Sequence, residues 1–158
     1  MTARDIMTTN IVTVGEEAPV GEIADLLVAH SFDAVPVVNA ASQVLGLVSY
    51  DDLIRLVLPE FLDDVDLSFL PASAGLFPGA GGCEGLGDVK AKDVMRRDEL
   101  QEVPPGEPVA EVARLMLTEG IRRVVVVEEG RLVGIVSHGD IVRAIVHPRL
   151  SAGSQESP

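Results

Sequence analysis

Residues 46–52 read GLVSYDD, and residues 134–140 repeat the pattern as GIVSHGD. Both copies place Gly and two aliphatic residues before a Ser, and an Asp three positions after it. The same spacing reaches back to the triplet DIM at residues 5–7 and DVM at residues 93–95. Agreement at several separated points indicates an internal duplication. Each copy is too small to bury its apolar faces alone, so we expect the two copies to pack on each other and any functional site to lie where they meet.

Composition and charge limit the class of protein. The 158 residues are 47% apolar and only 3% aromatic, which predicts a compact fold with an aliphatic core. We expect no membrane span, because no apolar run is long enough, and no signal peptide. The net charge of −13 opposes binding to nucleic acid. Cys83 is the only cysteine, which excludes an internal disulfide, and the default expectation is a cytoplasmic protein.

Apolar periodicity predicts the same order of elements in both copies. Apolar residues recur at helical spacing in residues 19–30 and 108–119. Each of these helices is followed by two β-branched runs around a polar turn, and then by a second helix. A short strand is expected before each pattern. The predicted fold is therefore α/β (α+β), with two β-α-β-β-α repeats packed about a pseudo-twofold axis.

These patterns divide the chain into four parts. We assign repeat 1 to residues 1–58, an inter-repeat linker or insert to 59–90, repeat 2 to 91–148 and a polar tail to 149–158. The linker holds three of the four Phe residues. A solvated tether would not carry them, so we expect this stretch to pack on its own molecule or to cover a partner chain.

The strongest candidates for chemistry are Ser49 with Asp52 and Ser137 with Asp140, each at a predicted strand-to-helix junction. A Ser hydroxyl and free amides at a helix N-terminus suit a phosphate, and the Asp can accept hydrogen bonds from a ribose diol. The alternative is a capping box, in which the Ser caps the helix and the Asp lies in its first turn. Two matched copies favour a role beyond the cap.

At these residues the chain resembles the CBS (cystathionine β-synthase-type) domain family. The matching stretches are residues 5–7, 34–39 and 46–53 in the first copy, and residues 92–95, 120–127 and 134–141 in the second. The resemblance implies a tandem CBS pair. In that family such pairs often bind adenine nucleotides or S-adenosylmethionine-type ligands in two clefts between the copies, and they commonly dimerise.

Carried over residue by residue, the resemblance implies two unequal clefts. The first joins Ser49 and Asp52 to Ile121, Arg122 and Arg123. The second is formed by Ile11, Val12, Phe32, Asp33, Ala34, Ser137, His138 and Asp140. Two guanidinium groups can bind phosphate, whereas the Asp33 carboxylate would repel it, so a phosphorylated adenosine is expected to prefer the first cleft. The alternative for Arg122 and Arg123 is a pair of solvated bases that offset nearby Glu residues.

The sequence therefore predicts a non-catalytic regulatory CBS-pair module that senses an adenosine-type ligand, such as AMP, ADP, ATP or an S-adenosylmethionine-like molecule. No required cofactor or catalytic residue is expected. A metal site is not expected either, because the three His residues lack metal-ligand spacing. The alternative is a ligand-free scaffold for dimerisation or for docking an unidentified target protein. A homodimer is expected through apolar helix residues beyond the core stripes, namely Leu26, Val28, Leu115 and Leu117.

Overall fold

The structure of the protein, a computed structural model, describes residues 1–57 and 88–146. The expectations for the Phe-containing linker and the polar tail fall almost wholly outside these residues. The chain forms two compact units, each built from separate stretches of sequence. Unit 1 consists of Met1–Val12, Asn39–Val44 and Arg97–Pro158, and unit 2 consists of Thr13–Val38 and Leu45–Arg96.

The order of helices and strands is the same in both copies of the repeat. The first copy contains α1 (Ala3–Ile6), β1 (Val14–Gly15), α2 (Val20–His30), β2 (Ala34–Val38), β3 (Val44–Ser49) and α3 (Tyr50–Val57). The second contains α4 (Ala91–Val94), β4 (Glu102–Val103), α5 (Val109–Glu119), β5 (Arg123–Glu128), β6 (Arg131–Ser137) and α6 (His138–Val146). The predicted β-α-β-β-α order is confirmed, and each copy has in addition a one-turn helix before its first strand.

The strands form two three-stranded sheets, ordered β1-β2-β3 and β4-β5-β6. The first two strands of each sheet run parallel, as a helical connection between them requires. Strands β5 and β6 form an antiparallel hairpin in which Arg123 lies opposite Ser137. This register brings the beginning of β5 beside the beginning of α6.

The apolar stripes predicted for the long helices face the core of their own unit. In unit 2, Ile23 and Leu27 of α2 are fully buried against Val35 and Val37 of β2. In unit 1, Val112 and Met116 of α5 pack in the same way with the valines of β5. Both helices end at a residue with left-handed backbone, Ser31 and Gly120, which closes the last helical turn.

The leading segment of each repeat, which comes before its first strand, packs in the unit that contains the long helix of the other repeat. These segments are residues 1–12, in unit 1, and residues 88–96, in unit 2. In unit 1, the N–H of Ala3 donates to the carbonyl of Glu107 at 2.8 Å, and Thr8 and Ile135 exchange two backbone hydrogen bonds. Ala3 is fully buried and Ile6 is 9% exposed. In unit 2, Arg96 and Leu47 exchange the equivalent pair of hydrogen bonds. The repeat boundaries deduced from the sequence stay a prediction. The compact units do not coincide with the repeats, because each unit contains the leading segment of the other repeat.

The Gly of each repeated motif lies where this leading segment crosses β3 or β6. A Cβ atom at Gly134 would lie 2.7 Å from Cγ of Met7, and one at Gly46 would lie 3.0 Å from the carbonyl oxygen of Arg96. Only a residue without a side chain allows the segment to approach this closely. The Gly in GLVS and GIVS is therefore explained by packing.

Several apolar side chains remain exposed on the helices. The most exposed include Val28 on α2, Leu117 on α5, and Val142, Ile145 and Val146 on α6. Leu26 and Leu115, which we expected on the same exposed faces, instead pack partly against the cores of their own units. Across residues 1–57 and 88–146, no helix is both long and apolar enough to cross a bilayer.

An ion-pair cluster attaches the leading segment of the second repeat to unit 2. Nζ of Lys90 lies 2.6 Å from Glu17, which also pairs with Lys92. Hydrogen bonds from Lys90, which has the largest effect, and from Lys92 lower the pKa of Glu17 from 4.5 to about 2. Because the folded-state pKa is depressed, the pairs stabilise the fold above pH 4.5, and this stabilisation is lost as the pH falls towards 2.

Replacing Glu17 by Gln is therefore expected to reduce the acid sensitivity of the fold. The variant should melt at a lower temperature than the wild type at neutral pH, and the two melting temperatures should converge as the pH falls towards 2. The effect should be small because all three side chains are exposed. Thermal unfolding followed by circular dichroism checks this, with Glu22→Gln as the control. Equal acid sensitivity in Glu17→Gln and the wild type would contradict the expectation.

Candidate functional site

The two Ser–Asp motifs form the same hydrogen-bonded box at the start of a helix. The N–H and the hydroxyl of Ser49 both donate to Oδ2 of Asp52, at 2.8 and 2.9 Å. Ser137 donates to Oδ2 of Asp140 in the same way, at 2.8 and 2.7 Å. These contacts confirm that each Asp caps its helix, as in a capping box. If these Asp side chains bind a ligand, the atom available to it is Oδ1, because the cap already uses Oδ2.

The second carboxylate oxygen differs between the two boxes. Oδ1 of Asp140 accepts a hydrogen bond from Arg143 at 3.3 Å. For Oδ1 of Asp52 no protein partner is found among residues 1–57 and 88–146. Asp52 is only 8% exposed, but no fully buried polar side-chain atom in the described part of the chain lacks a hydrogen bond. This oxygen of Asp52 therefore reaches solvent and can accept a hydrogen bond from a ligand.

Two arginines lie at the beginning of the hairpin in unit 1, next to the second box. Arg123 lies opposite Ser137, and the N–H of His138 donates to the carbonyl of Arg122 at 3.1 Å. This pattern identifies Arg123 and Ser137 as a non-hydrogen-bonded pair, in which the Cα atoms are about 4.5 Å apart and the side chains are closest. The half-buried Arg123 and the exposed Arg122 therefore bring positive charge to the N-terminus of α6. Such an arrangement favours an anion.

The corresponding part of unit 2 is acidic. The N–H of Tyr50 donates to the carbonyl of Asp33 at 3.3 Å, so the residue that matches Arg122 in the duplication is a carboxylic acid. Asp51 adds a further acid in the first turn of α3. Phe32 stacks on His30 with ring centroids 5.2 Å apart and packs against the core of unit 2. Unit 2 therefore offers a carboxylate acceptor but a poor setting for phosphate.

The structure brings only some of the candidate residues together within one unit. Unit 1 contains Ile11, Val12, Ile121, Arg122, Arg123, Ser137, His138 and Asp140, and unit 2 contains Phe32, Asp33, Ala34, Ser49 and Asp52. Ile121 is buried in the core of unit 1, which gives it a structural role. The two clefts deduced from the resemblance combine residues of both units, and their composition stays a prediction.

Two residues near the boxes were not singled out from the sequence. Arg143 follows Asp140 by three positions, a spacing that places both on one face of α6 and could have indicated their contact. The backbone of Arg96 pairs with that of Leu47, which lies two positions before Ser49 on β3. In the duplication, Arg96 corresponds to Thr8 of the first copy. Its position could not be deduced, because nothing in the local sequence indicates that residues 88–96 pack in unit 2.

No group of three or more His, Cys, Asp or Glu side chains in the described residues could hold a metal ion. Cys83 lies outside those residues. The chemistry available near the boxes is therefore that of carboxylate, hydroxyl and guanidinium groups at two helix N-termini.

Comparison with known proteins identifies the family. The CBS domain family model matches residues 3–59 and again residues 91–147, which together make up most of the chain. The chain belongs to the CBS domain family, with two copies of the domain in tandem, so the resemblance deduced from the motifs is confirmed.

Individual relatives support the same assignment. Uncharacterized protein MJ1225 of Methanocaldococcus jannaschii is 30% identical over 142 residues, which cover 90% of this chain and 42% of that protein. The 5'-AMP-activated protein kinase subunit gamma-3 of Bos taurus is 28% identical over 138 residues, which cover 87% of this chain and 24% of that protein. The chain thus spans less than half the length of these two curated relatives.

A solved structure of similar size is that of CBSX2 in complex with AMP. It matches with a TM-score of 0.69 and 26% sequence identity, over 92% of this chain and 96% of that one. The fold of this chain is therefore that of a tandem CBS pair.

Proposed function

We propose that the chain is a non-catalytic regulatory module that binds an adenosine-type ligand through its two Ser–Asp boxes. The observation that carries the proposal is the position of Arg123 opposite Ser137 at the N-terminus of α6. Guanidinium groups bind phosphate in proteins, and the N-terminus of a helix favours a negative charge. The nearby carboxylates supply acceptors for ribose hydroxyls. The AMP complex of CBSX2 supports the choice of an adenosine ligand.

The role proposed for each group follows from its chemistry. Arg122 and Arg123 bind phosphate, since each can donate two parallel hydrogen bonds to phosphate oxygens. Asp52 accepts the ribose hydroxyls through the oxygen that its cap leaves open.

A ligand screen tests the proposal directly. Thermal unfolding of the full chain should be measured with AMP, ADP, ATP, NAD, S-adenosylmethionine and cyclic dinucleotides, with GMP and inorganic phosphate as controls. A ligand that binds only the folded state raises its stability by about 2.7 kcal/mol at a concentration 100-fold above Kd. We expect saturable stabilisation by at least one adenosine ligand and little by GMP. The absence of stabilisation across the panel would refute ligand sensing.

A second candidate function is a dimerisation or docking scaffold, which the exposed apolar side chains favour. Val142, Ile145 and Val146 lie at helical spacing on one face of α6, and Ile145 is 69% exposed. An apolar stripe left open on a helix is commonly covered by a second copy in a twofold dimer. We propose that the chain forms a homodimer in which this face of α6 is buried.

Replacing Ile145 by Glu is expected to convert this dimer to a monomer, because the interface would have to bury a charge without a partner. The mass should be measured by light scattering coupled to gel filtration at micromolar concentration. Thr9→Glu adds the same charge at an exposed site outside the helices and should leave the mass unchanged. A wild-type chain that runs as a monomer, or an Ile145→Glu variant that stays dimeric, would contradict the proposed interface.

A further inference from the structure

The two boxes share the bonds from Ser to Oδ2 of Asp. The second box has two further contacts, a bond from the N–H of Asp140 to Oγ of Ser137 at 3.3 Å and a contact of Asp140 with Arg143. Nη1 of Arg143 donates to Oδ1 of Asp140 at 3.3 Å, from the next turn of α6. Arg55 follows Asp52 at the same spacing on α3, yet within residues 1–57 and 88–146 no ion pair joins Arg55 to Asp52. The same pair of residue types therefore forms a contact in one repeat only.

This contact occupies the atom that a ribose would use. A carboxylate oxygen has about two acceptor positions, and Oδ2 of Asp140 already accepts two hydrogen bonds from Ser137. Acceptor capacity for a ribose diol therefore remains on Oδ1, which the Arg143 guanidinium partly occupies. The equivalent Oδ1 of Asp52 has no such neighbour in the described part of the chain.

We propose that Arg143 is an intramolecular competitor for the ligand at Asp140, and that it makes the two ribose acceptors unequal. The inference rests on the proposed function, because it assumes that the Asp of each box accepts ribose hydroxyls. A ligand at Asp140 competes with the guanidinium for Oδ1, whereas a ligand at Asp52 meets no such competitor among the described residues. The inequality therefore applies to unphosphorylated adenosine as well as to nucleotides, and it is independent of Arg122 and Arg123. Arg143 acts here as a residue that determines specificity without contacting the ligand.

The size of the effect is limited by the exposure of Arg143. Its side chain is 56% exposed and that of Asp140 is 11% exposed. Ion pairs with one partner in solvent are weak, so their removal should tighten ligand binding by about two- to fivefold. The stability of the fold should hardly change, because the pair lies on the surface of α6.

Residue-resolved NMR titration of the full chain with adenosine tests the proposal. The amide signals of residues 49–52 and 137–140 report the two boxes separately in one experiment. Arg143→Gln should tighten adenosine binding at residues 137–140 by about two- to fivefold and leave the affinity at residues 49–52 unchanged. Arg143→Lys, which keeps a charge able to pair with Asp140, should remain close to the wild type. Arg55→Gln is the matched control and should change neither affinity.

The possible outcomes separate this inference from the function on which it rests. Weaker adenosine binding in Arg143→Gln would mean that Arg143 contacts the ligand, and an unchanged affinity would mean that it does not compete. Either result overturns the inference while leaving adenosine binding intact. If adenosine and AMP shift no signals of the wild-type chain at either box, the proposed function itself fails, and the inference fails with it.

Discussion

Replacing Ile6 by Asp is expected to unfold unit 1. Ile6 lies on the one-turn helix α1 and is buried among residues of the second repeat. Burial of an Ile side chain stabilises a fold by about 1.5–3 kcal/mol, and the new carboxylate would be buried without a partner, which adds a further cost. The sum is a large part of the stability of a typical domain, which is about 5–15 kcal/mol.

Urea unfolding of the full chain, followed by circular dichroism, measures this effect. Arg4→Ala is the matched control on the same helix. It removes a largely exposed ion pair with Glu128 and should cost less than about 1 kcal/mol. NMR signals of residues 123–137 should be lost in Ile6→Asp at urea concentrations where Arg4→Ala retains them. Equal unfolding midpoints for the two variants would show that the leading segment contributes little to unit 1.

Replacing Arg123 by Ala is expected to weaken binding of a phosphorylated adenosine at least tenfold. Arg123 lies beside Ser137, so its guanidinium can reach a phosphate placed near the positive end of the α6 dipole. Hydrogen bonds to charged groups contribute about 1.5–3 kcal/mol each, which corresponds to about tenfold or more in affinity. Unphosphorylated adenosine should lose much less, because it presents no phosphate to the arginine.

Calorimetric titration of AMP and adenosine into the wild type and the variant gives both comparisons. Arg114→Ala serves as the control, since Arg114 pairs with Glu111 on the exposed face of α5. It removes the same charge from the same unit and should leave both affinities unchanged. A similar loss for AMP and adenosine in Arg123→Ala would indicate a general disturbance of the hairpin. Phosphate binding would then have to be assigned to other residues.

The main elements of the fold could be deduced from the sequence because they depend on local periodicity. For example, α2 buries an apolar stripe that includes Ile23 and Leu27. In the sequence this stripe appears as apolar residues spaced three and four positions apart. The one-turn helices α1 and α4 have too few residues to show a period. Their packing partners lie far away in the sequence, so their place in the other unit could not be deduced from any local pattern.

The candidate site was predictable to the extent that it depends on the repeated motif. The position of Ser49 and Asp52 at a helix start follows from the switch between strand and helix periodicity, and so does the cap that they form. The proximity of Arg123 to Ser137 was not predicted, since the resemblance placed the two residues in different clefts. It could not be obtained by counting back from the turn either, because an irregularity between Val126 and Val127 shifts the register of the hairpin by one residue. The contact of Arg143 with Asp140 could not be predicted with certainty, because Arg55 has the same spacing from Asp52 and makes no such contact within the described residues.

Because each unit contains the leading segment of the other repeat, the two units can fold only in a fixed order during synthesis. All stretches of unit 2 lie between Thr13 and Arg96, so its chain is complete once residue 96 has left the ribosome. Unit 1 needs Met1–Val12 and Asn39–Val44 together with residues from Arg97 onward. Contacts between such distant residues form slowly, because a long loop must close first. Ile6 and Met7 can therefore pack in unit 1 only after α5 and the second hairpin have been synthesised. Residues 1–12 are thus synthesised before unit 2 but complete their packing after it.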